Sequence, residues 1–440
     1  MEKTKAPTLS PSLNPYGRLV PNKHGIPGIR GYVGGVAGEH LGKTHRVAVV
    51  AAGIVSPLGR GLAMTAETLR AGRDCVTPMQ RFPVDQCRCT TAGQVDDRLL
   101  ADVLPNDCRA RRLHRASQMT IAALTDLLEQ APGFTPQLTV VGTTSGGMSF
   151  GEQYYRSLQR PGACTAQAPG WIANYPPQKA ALDALAVLGL MSPCQVIANA
   201  CASGTNAIGH AFECIRSGRY DRVLTGGYDA LSELVFVGFD SLQAATPEKC
   251  RPFDASRTGL VLGEGAALLA LENLTQAEAR GAEVLAEISG YGISTDNHHL
   301  TQPHPSGIGP RKAMERALRS ADLEPDTIDY VNAHGTATPF NDAAEGKAIA
   351  DLLGKVPVSS TKSMMGHSLG AAGAVEAVFT ILALRQGFLP PNINFRALGP
   401  EFDLDVVANK ARPASARAAL SNSFGFGGTN ASIAIQAHSR

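Results

Sequence analysis

The chain has 440 residues, of which 44% are hydrophobic and 18% charged; this supports a well-filled core and excludes a disordered or fibrous protein. Forty basic residues against 38 acidic ones leave a formal charge of +2, so the overall balance recruits neither nucleic acid nor an anionic membrane. Nine cysteines confined to the first 250 residues do not form a disulfide framework, and no run approaches the roughly 20 apolar residues of a membrane span or shows a secretory signal, so the expected location is cytoplasmic.

Residues 1–44 are rich in Pro, Gly and basic side chains without periodicity and read as a flexible extension. The first strand spans 46–50 and runs into the turn-rich segment 53–59. Cys87-Arg88-Cys89 has no second cysteine pair at zinc-site spacing, so no metal site is expected there. Met119, Ala122, Ala123, Leu127 and Leu128 mark a helix, followed by a strand at 138–142 and the small-residue loop 143–147. A strand at 195–198 then leads through Cys201 into a helix with Ala207, Ile208, Ala211, Phe212 and Ile215 on one stripe, and segments 222–226 and 266–271 pair as strands.

The plan then restarts. A strand at 284–292, a helix marked by Met314, Ala317, Leu318 and Ala321, and a strand at 328–333 end in His334-Gly335-Thr336. The strand 356–360 leads through Lys362 and His367 into a helix, 369–384, that is apolar nearly all round and is therefore expected to be central; strands 418–422 and 431–435 close the chain. Strand, helix, strand, helix order predicts mostly parallel sheets covered by helices, in two duplicated halves, 45–280 and 281–440.

Cys201 falls between a strand end and the first turn of a helix, where free N–H groups and the helix dipole favour a thiolate by ~0.5–2 kcal/mol and are expected to lower the thiol pKa. His334 lies at a strand end and His367 opens the central helix of the other half, equivalent switch positions that a pseudo-twofold relation between the halves would bring to Cys201. The Gly-rich run Phe424-Gly425-Phe426-Gly427-Gly428-Thr429-Asn430 lets backbone approach a ligand closely and offers an N–H opposite the Cys201 amide.

Ala200-Cys201-Ala202-Ser203-Gly204, Arg251-Pro252-Phe253-Asp254 with Gly263-Glu264-Gly265-Ala266, His334-Gly335-Thr336, Lys362-Ser363 with Gly366-His367-Ser368-Leu369-Gly370, and Asn422-Ser423-Phe424-Gly425-Phe426-Gly427-Gly428-Thr429-Asn430 resemble the elongating β-ketoacyl-[acyl carrier protein] synthases. The resemblance runs in order over about residues 46–436. It implies the α/β thiolase-like fold, two mixed-sheet halves in a layered αβαβα arrangement. It also implies a dimer with itself or with a related ketosynthase-like subunit, an acyl carrier protein as partner, substrates carried on phosphopantetheine, and no cofactor or metal of its own.

By the same resemblance Cys201 is the nucleophile, His334 and His367 stabilise the decarboxylating malonyl thioester, and the Cys201 and Phe426 amides form the oxyanion hole. Lys362 orders the site with Glu345; Thr336, Thr338 and Thr301 hold the pantetheine arm; Phe424 gates the acyl and malonyl sites; Ser145 stands at the acyl-pocket floor. Ser145, where fatty-acid enzymes often place a bulky apolar residue, and Pro339-Phe340-Asn341-Asp342 depart towards enzymes of specialised type II polyketide and polyene pathways. The alternative is a chain-length-factor-like partner subunit, against which Cys201 argues. A degradative thiolase would need a second catalytic cysteine, and none follows Cys250.

Overall fold

A computed structural model describes residues 44–101, 113–159 and 168–438. The extension expected over 1–44 lies outside them except for Thr44. Ten strands form the main path of the large sheet: β1 (Val47–Ser56), β2 (Leu138–Gly142), β3 (Cys194–Ile197), β4 (Arg222–Asp229), β5 (Gly265–Asn273), β6 (Ala286–Thr295), β7 (Tyr330–Asn332), β8 (Pro357–Ser359), β9 (Ala418–Gly425) and β10 (Thr429–Gln436). Five of the helices frame the site: α1 (Arg115–Gln130), α2 (Ser203–Arg216), α3 (Ile308–Ala321), α4 (Pro339–Leu353) and α5 (Ala372–Gln386).

These strands join in one path, β8-β7-β9-β10-β6-β1-β5-β4-β2-β3, with the short strand Asp405–Val406 beyond β8. The order is a palindrome in which each strand of the first half has its counterpart five strands later: β3-β2-β4-β5-β1 meets β6-β10-β9-β7-β8. Orientation obeys the same rule, since β2 is parallel to β3 and β4 while β4–β5 and β5–β1 are antiparallel, and β7 is parallel to β8 and β9 while β9–β10 and β10–β6 are antiparallel. The two halves join through Val47–Val49 of β1 against Ala286–Ile288 of β6.

The hydrophobic pattern explains the layers. β1 is buried along its whole length, with Val47, Val49, Ala52 and Ile54 in one core cluster and Ala48, Val50, Ala51 and Val55 in another. A register shift between Val49 and Ala51 changes which face the alternation serves. The second cluster packs on α1, while the first contains α2 and α5 and reaches both halves through Leu138, Val223, Ala419 and Ile433. A third cluster joins the other face of the second half to α3 and α4 through Met314, Ala317, Ala348 and Ile349. The result is the layered αβαβα arrangement expected from the motifs.

Helix α5 sits in the middle layer, with every residue from Ala372 to Leu384 buried. The stretch Leu369–Gln386 has the length and mean hydropathy, 1.3, of a membrane span, but 89% of it is enclosed by protein. Its close approach to α2 demands small side chains: a Cβ on Gly204 would lie 2.8 Å from the Gly370 carbonyl oxygen, and one on Gly373 would lie 2.0 Å from Thr205 Oγ1. The first turn of each central helix is thereby pressed against the other, which is what brings the loops ahead of them together.

Candidate active site

Cys201 follows β3 and precedes α2; the topological equivalent of this connection, between β8 and α5, carries Lys362 and His367. The chain enters the Cys201 turn through Ala200, a non-glycine residue at φ 56°, whose carbonyl accepts from Ser203 Oγ at 2.6 Å and from Thr144 Oγ1 at 3.2 Å. Ser203 Oγ in turn accepts from the Asn199 amide at 2.9 Å. These bonds hold the strained elbow that precedes the nucleophile candidate.

Three reactive side chains converge. The ligand atoms of Cys201, His334 and His367 all lie within 4.8 Å of one another, and the three residues are at most 6% exposed. The imidazole rings meet edge to face with centroids 5.2 Å apart, and Phe424 packs edge-on to His334 at 6.0 Å. Nδ1 of His334 and both ring nitrogens of His367 are buried without a hydrogen-bond partner. His367 lies ahead of α5 rather than opening it, pinned by its own amide to the Val261 carbonyl at 2.7 Å and by its carbonyl to the Gly263 amide at 2.9 Å.

The β9–β10 turn closes the other side. The Phe426 and Cys201 amides both face Sγ, and a Cβ added at Gly425 would lie 3.2 Å from the Cys201 nitrogen, so the glycine is what allows this approach. The Phe426 ring stacks on Phe239 with centroids 5.5 Å apart and planes inclined by 21°.

Electrostatics correct the expectation of a lowered thiol pKa. Burial pushes the Cys201 thiol up to about 11, outweighing the Lys362 charge and the Phe426 and Cys201 amides, which pull it down. Burial, with Lys362 behind it, also holds both histidines well below the usual imidazole value, so they are neutral at pH 7. The resting centre is a protonated thiol beside two neutral imidazoles.

Lys362 does not pair with Glu345. Its ammonium donates to Oε1 of Glu376 on α5, and both side chains are almost wholly buried. Burial raises the Glu376 carboxyl to about 7, against the pull of Lys362. Glu345, on α4, instead accepts from the His334 amide at 2.8 Å, the Gly335 amide at 2.7 Å and Asn422 Nδ2 at 3.2 Å. It therefore fixes the histidine's backbone, not the lysine. A geometric reason separates the two roles: Glu376 lies on α5, the helix that the Lys362 segment leads into, whereas Glu345 rises from the helix that follows the His334 loop.

One open cleft of about 240 Å³ leads to this centre, lined by Cys201, His334, His367, Phe424 and Phe426 together with Thr301, Thr336 and Thr338. Thr336 and Thr338 share a hydroxyl hydrogen bond of 2.8 Å. Ser145 is not part of that lining; its hydroxyl donates to Asp229 Oδ1 at 2.9 Å.

Two residues escaped the sequence reading. Glu376 carried a signal, as the lone acidic side chain in an otherwise apolar helix. Asp229, at the end of β4, is fully buried and accepts from Thr143 Oγ1 and the Thr144, Ser145 and Gly370 amides, tying the loop after β2 to the loop of His367. Nothing local to its sequence announced that. The seven cysteines among the described residues are all free thiols, Cys87 and Cys89 included.

Comparison with known proteins gives a consistent result. The model of the beta-ketoacyl synthase N-terminal domain matches residues 44–277, and that of the C-terminal domain matches 285–396. A relative named 3-oxoacyl-[acyl-carrier-protein] synthase 2, from Synechocystis sp., is 36% identical over 411 residues, which are 89% of this chain and 98% of the relative. The solved structure of the ishigamide ketosynthase/chain length factor superposes with a TM-score of 0.85 at 34% identity, covering 90% of this chain and all of that one. A type II PKS acyl-carrier protein in complex with its ketosynthase gives 0.81 at 27% identity, with 90% of this chain and all of that chain covered. Motifs, fold and relatives agree: the chain belongs to the beta-ketoacyl synthase family.

Proposed function

We propose that this protein is an acyltransferase that joins an acyl thioester, loaded on Cys201, to malonyl-[acyl carrier protein] by decarboxylative Claisen condensation, yielding β-ketoacyl-[acyl carrier protein]. The observation that carries the reading is the convergence of one thiol and two neutral, unpartnered imidazoles within 4.8 Å at the inner end of an open cleft.

In the first half-reaction the Cys201 sulfur attacks the acyl carbonyl of a phosphopantetheine thioester. The thiol proton passes to an imidazole nitrogen and from there to the departing pantetheine thiol. Moving this proton is necessary because the buried thiol titrates near 11. The Cys201 and Phe426 amides hold the tetrahedral oxyanion.

A malonyl thioester then enters, with its arm along Thr336, Thr338 and Thr301. As CO₂ leaves, the electrons of the broken C–C bond move into the thioester, and N–H groups of His334 and His367 receive the charge developing on its oxygen. The new carbon nucleophile attacks the acyl carbonyl, the C–S bond to Cys201 breaks, and the sulfur recovers a proton. Lys362, balanced by Glu376, sets the field around the three groups; Glu345 holds His334 in place, and the Phe424 ring gates the two substrate arms.

Residues 45–280 supply the nucleophile half and 281–440 the histidine half, in the cytoplasm, with no cofactor beyond the substrates' phosphopantetheine. The carrier protein and a ketosynthase-like second subunit are the partners, and β3 supports the latter: it has a sheet neighbour on one edge only among the described residues. Ser145, outside the lining of the open cleft but on the loop that Thr144 ties to the Cys201 turn, sets the acyl-chain limit from behind the nucleophile, with specialised type II polyketide or polyene chains favoured over those of fatty-acid synthesis. The test is intact mass spectrometry with acyl carrier protein thioesters, then malonyl carrier protein. Adducts confined to Cys201, absent in Cys201→Ala, followed by a β-ketoacyl product, are the expected result. No adduct across the panel, even with partner subunits, would favour a chain-length-factor-like role.

A further inference from the structure

We propose that Cys201, His334 and His367 also form a three-ligand site for Zn²⁺ or a similar thiophilic divalent cation, which silences the nucleophile while the cleft holds no substrate. Occupancy follows from the geometry alone; its consequence as inhibition rests on the condensing reading above.

The donor set fits such an ion. One sulfur and two imidazole nitrogens, with the fourth position open to a water or ligand, is a composition that zinc accepts. All three ligand atoms already lie within 4.8 Å of one another. Zn–S and Zn–N bonds of about 2.3 and 2.0–2.1 Å in tetrahedral geometry place ligand atoms roughly 3.5 Å apart, so closure requires a movement of about 1 Å. That movement breaks no hydrogen bond at His334 Nδ1 or at either nitrogen of His367, since none of these atoms has a partner. A buried polar atom without a partner carries an energetic cost that a metal bond removes.

Access and charge agree with the geometry. The cleft that ends at Cys201 is open to solvent and carries the Asp296 carboxylate along its wall, so a cation meets one negative group on the way in. The repelling charge at the inner end, Lys362, is already paired with Glu376. Binding replaces the Cys201 S–H bond by an S–Zn bond and releases one proton, with no change of oxidation state. Zinc and an acyl group compete for the same sulfur, so the metal-bound state is a reversible, unreactive form.

The experiment uses the full chain freed of metal with a chelator and titrated with Co²⁺ as a spectroscopic stand-in, then with Zn²⁺. The expected result is one equivalent of Co²⁺ giving a thiolate charge-transfer band and tetrahedral d–d bands, both erased by Zn²⁺. In parallel, Zn²⁺ slows iodoacetamide alkylation of Cys201, read by mass spectrometry, at least about tenfold, and EDTA restores it. The bands vanish in Cys201→Ala, and His334→Ala and His367→Ala each weaken binding about tenfold or more. Absence of bands and of protection in the parent protein overturns the proposal without recourse to any variant. Protection that survives in both histidine variants also overturns it, by showing capture through sulfur alone. Acyl loading of the metal-free enzyme is measured separately, so failure of the condensing reading and failure of the metal site give different patterns.

Discussion

Replacing Lys362 by methionine keeps an unbranched side chain only one atom shorter and removes its charge, leaving Glu376 without its partner in the core. Both residues are at most 2% exposed, and Glu376 Oε2 has no hydrogen-bond partner even in the parent protein. Breaking a buried pair from one side costs about 3–5 kcal/mol, whereas replacing both members by apolar residues of similar volume is often near neutral. The single variant should therefore lose about 3–5 kcal/mol, and Lys362→Met with Glu376→Leu should recover most of it. Urea unfolding midpoints at constant m-value report the difference.

The pH dependence has a definite sign. The Glu376 carboxyl is raised from 4.5 to about 7 in the folded protein, so its contribution to stability is complete below 4.5 and is lost as pH rises through 7. Without Lys362 the folded value rises further, and the single variant should be more destabilised at pH 8 than at pH 5. Reactivity separates from stability. Lys362 pulls the Cys201 thiol down from an even higher value, so both variants should alkylate at Cys201 more slowly than the parent at pH 9. A single variant within about 1 kcal/mol of the parent at both pH values, or a double variant no more stable than the single, would refute the buried-pair argument.

Gly425→Ala places a methyl group 3.2 Å from the Cys201 amide and 2.7 Å from Thr429 Oγ1, displacing the turn that carries the Phe426 amide; acyl loading should fall about 10²-fold, and unchanged loading would remove Phe426 from the oxyanion hole. His334→Ala and His367→Ala should each depress malonyl decarboxylation about 10²-fold or more, beyond their effect on acyl loading, and equal losses in the two assays would argue against the division of labour. Ser145→Leu inserts apolar volume beside buried Asp229, at a cost of about 1–3 kcal/mol, and should shorten the acyl chains accepted from a carrier-protein panel; an unaltered preference would refute its place in the acyl pocket.

The duplicated plan, the three candidate site residues and the central place of the last long helix were legible in the order of amino acids, because each is written in local signals. Strands and helices recur in the same order, Cys201 and His334 each follow a strand end among small residues, His367 stands ahead of a helix that begins with small residues, and residues 372–384 carry only Glu376 and Thr380 as polar side chains. Tertiary structure decided the partners and the protonation. Lys362 meets Glu376 rather than Glu345 because α5, the helix that follows its segment, brings Glu376 against it, while Glu345 on α4 is taken up by the His334 and Gly335 amides; which of the two carboxylates lies nearer is settled by packing, not by a spacing rule. The thiol rises to about 11 because enclosure by both halves costs a thiolate more than the amides and Lys362 return, and desolvation depends on everything packed around the sulfur. Asp229 acquires its role in the same way, as a strand-end carboxylate whose amide donors come from loops more than 80 residues before it and more than 140 residues after it.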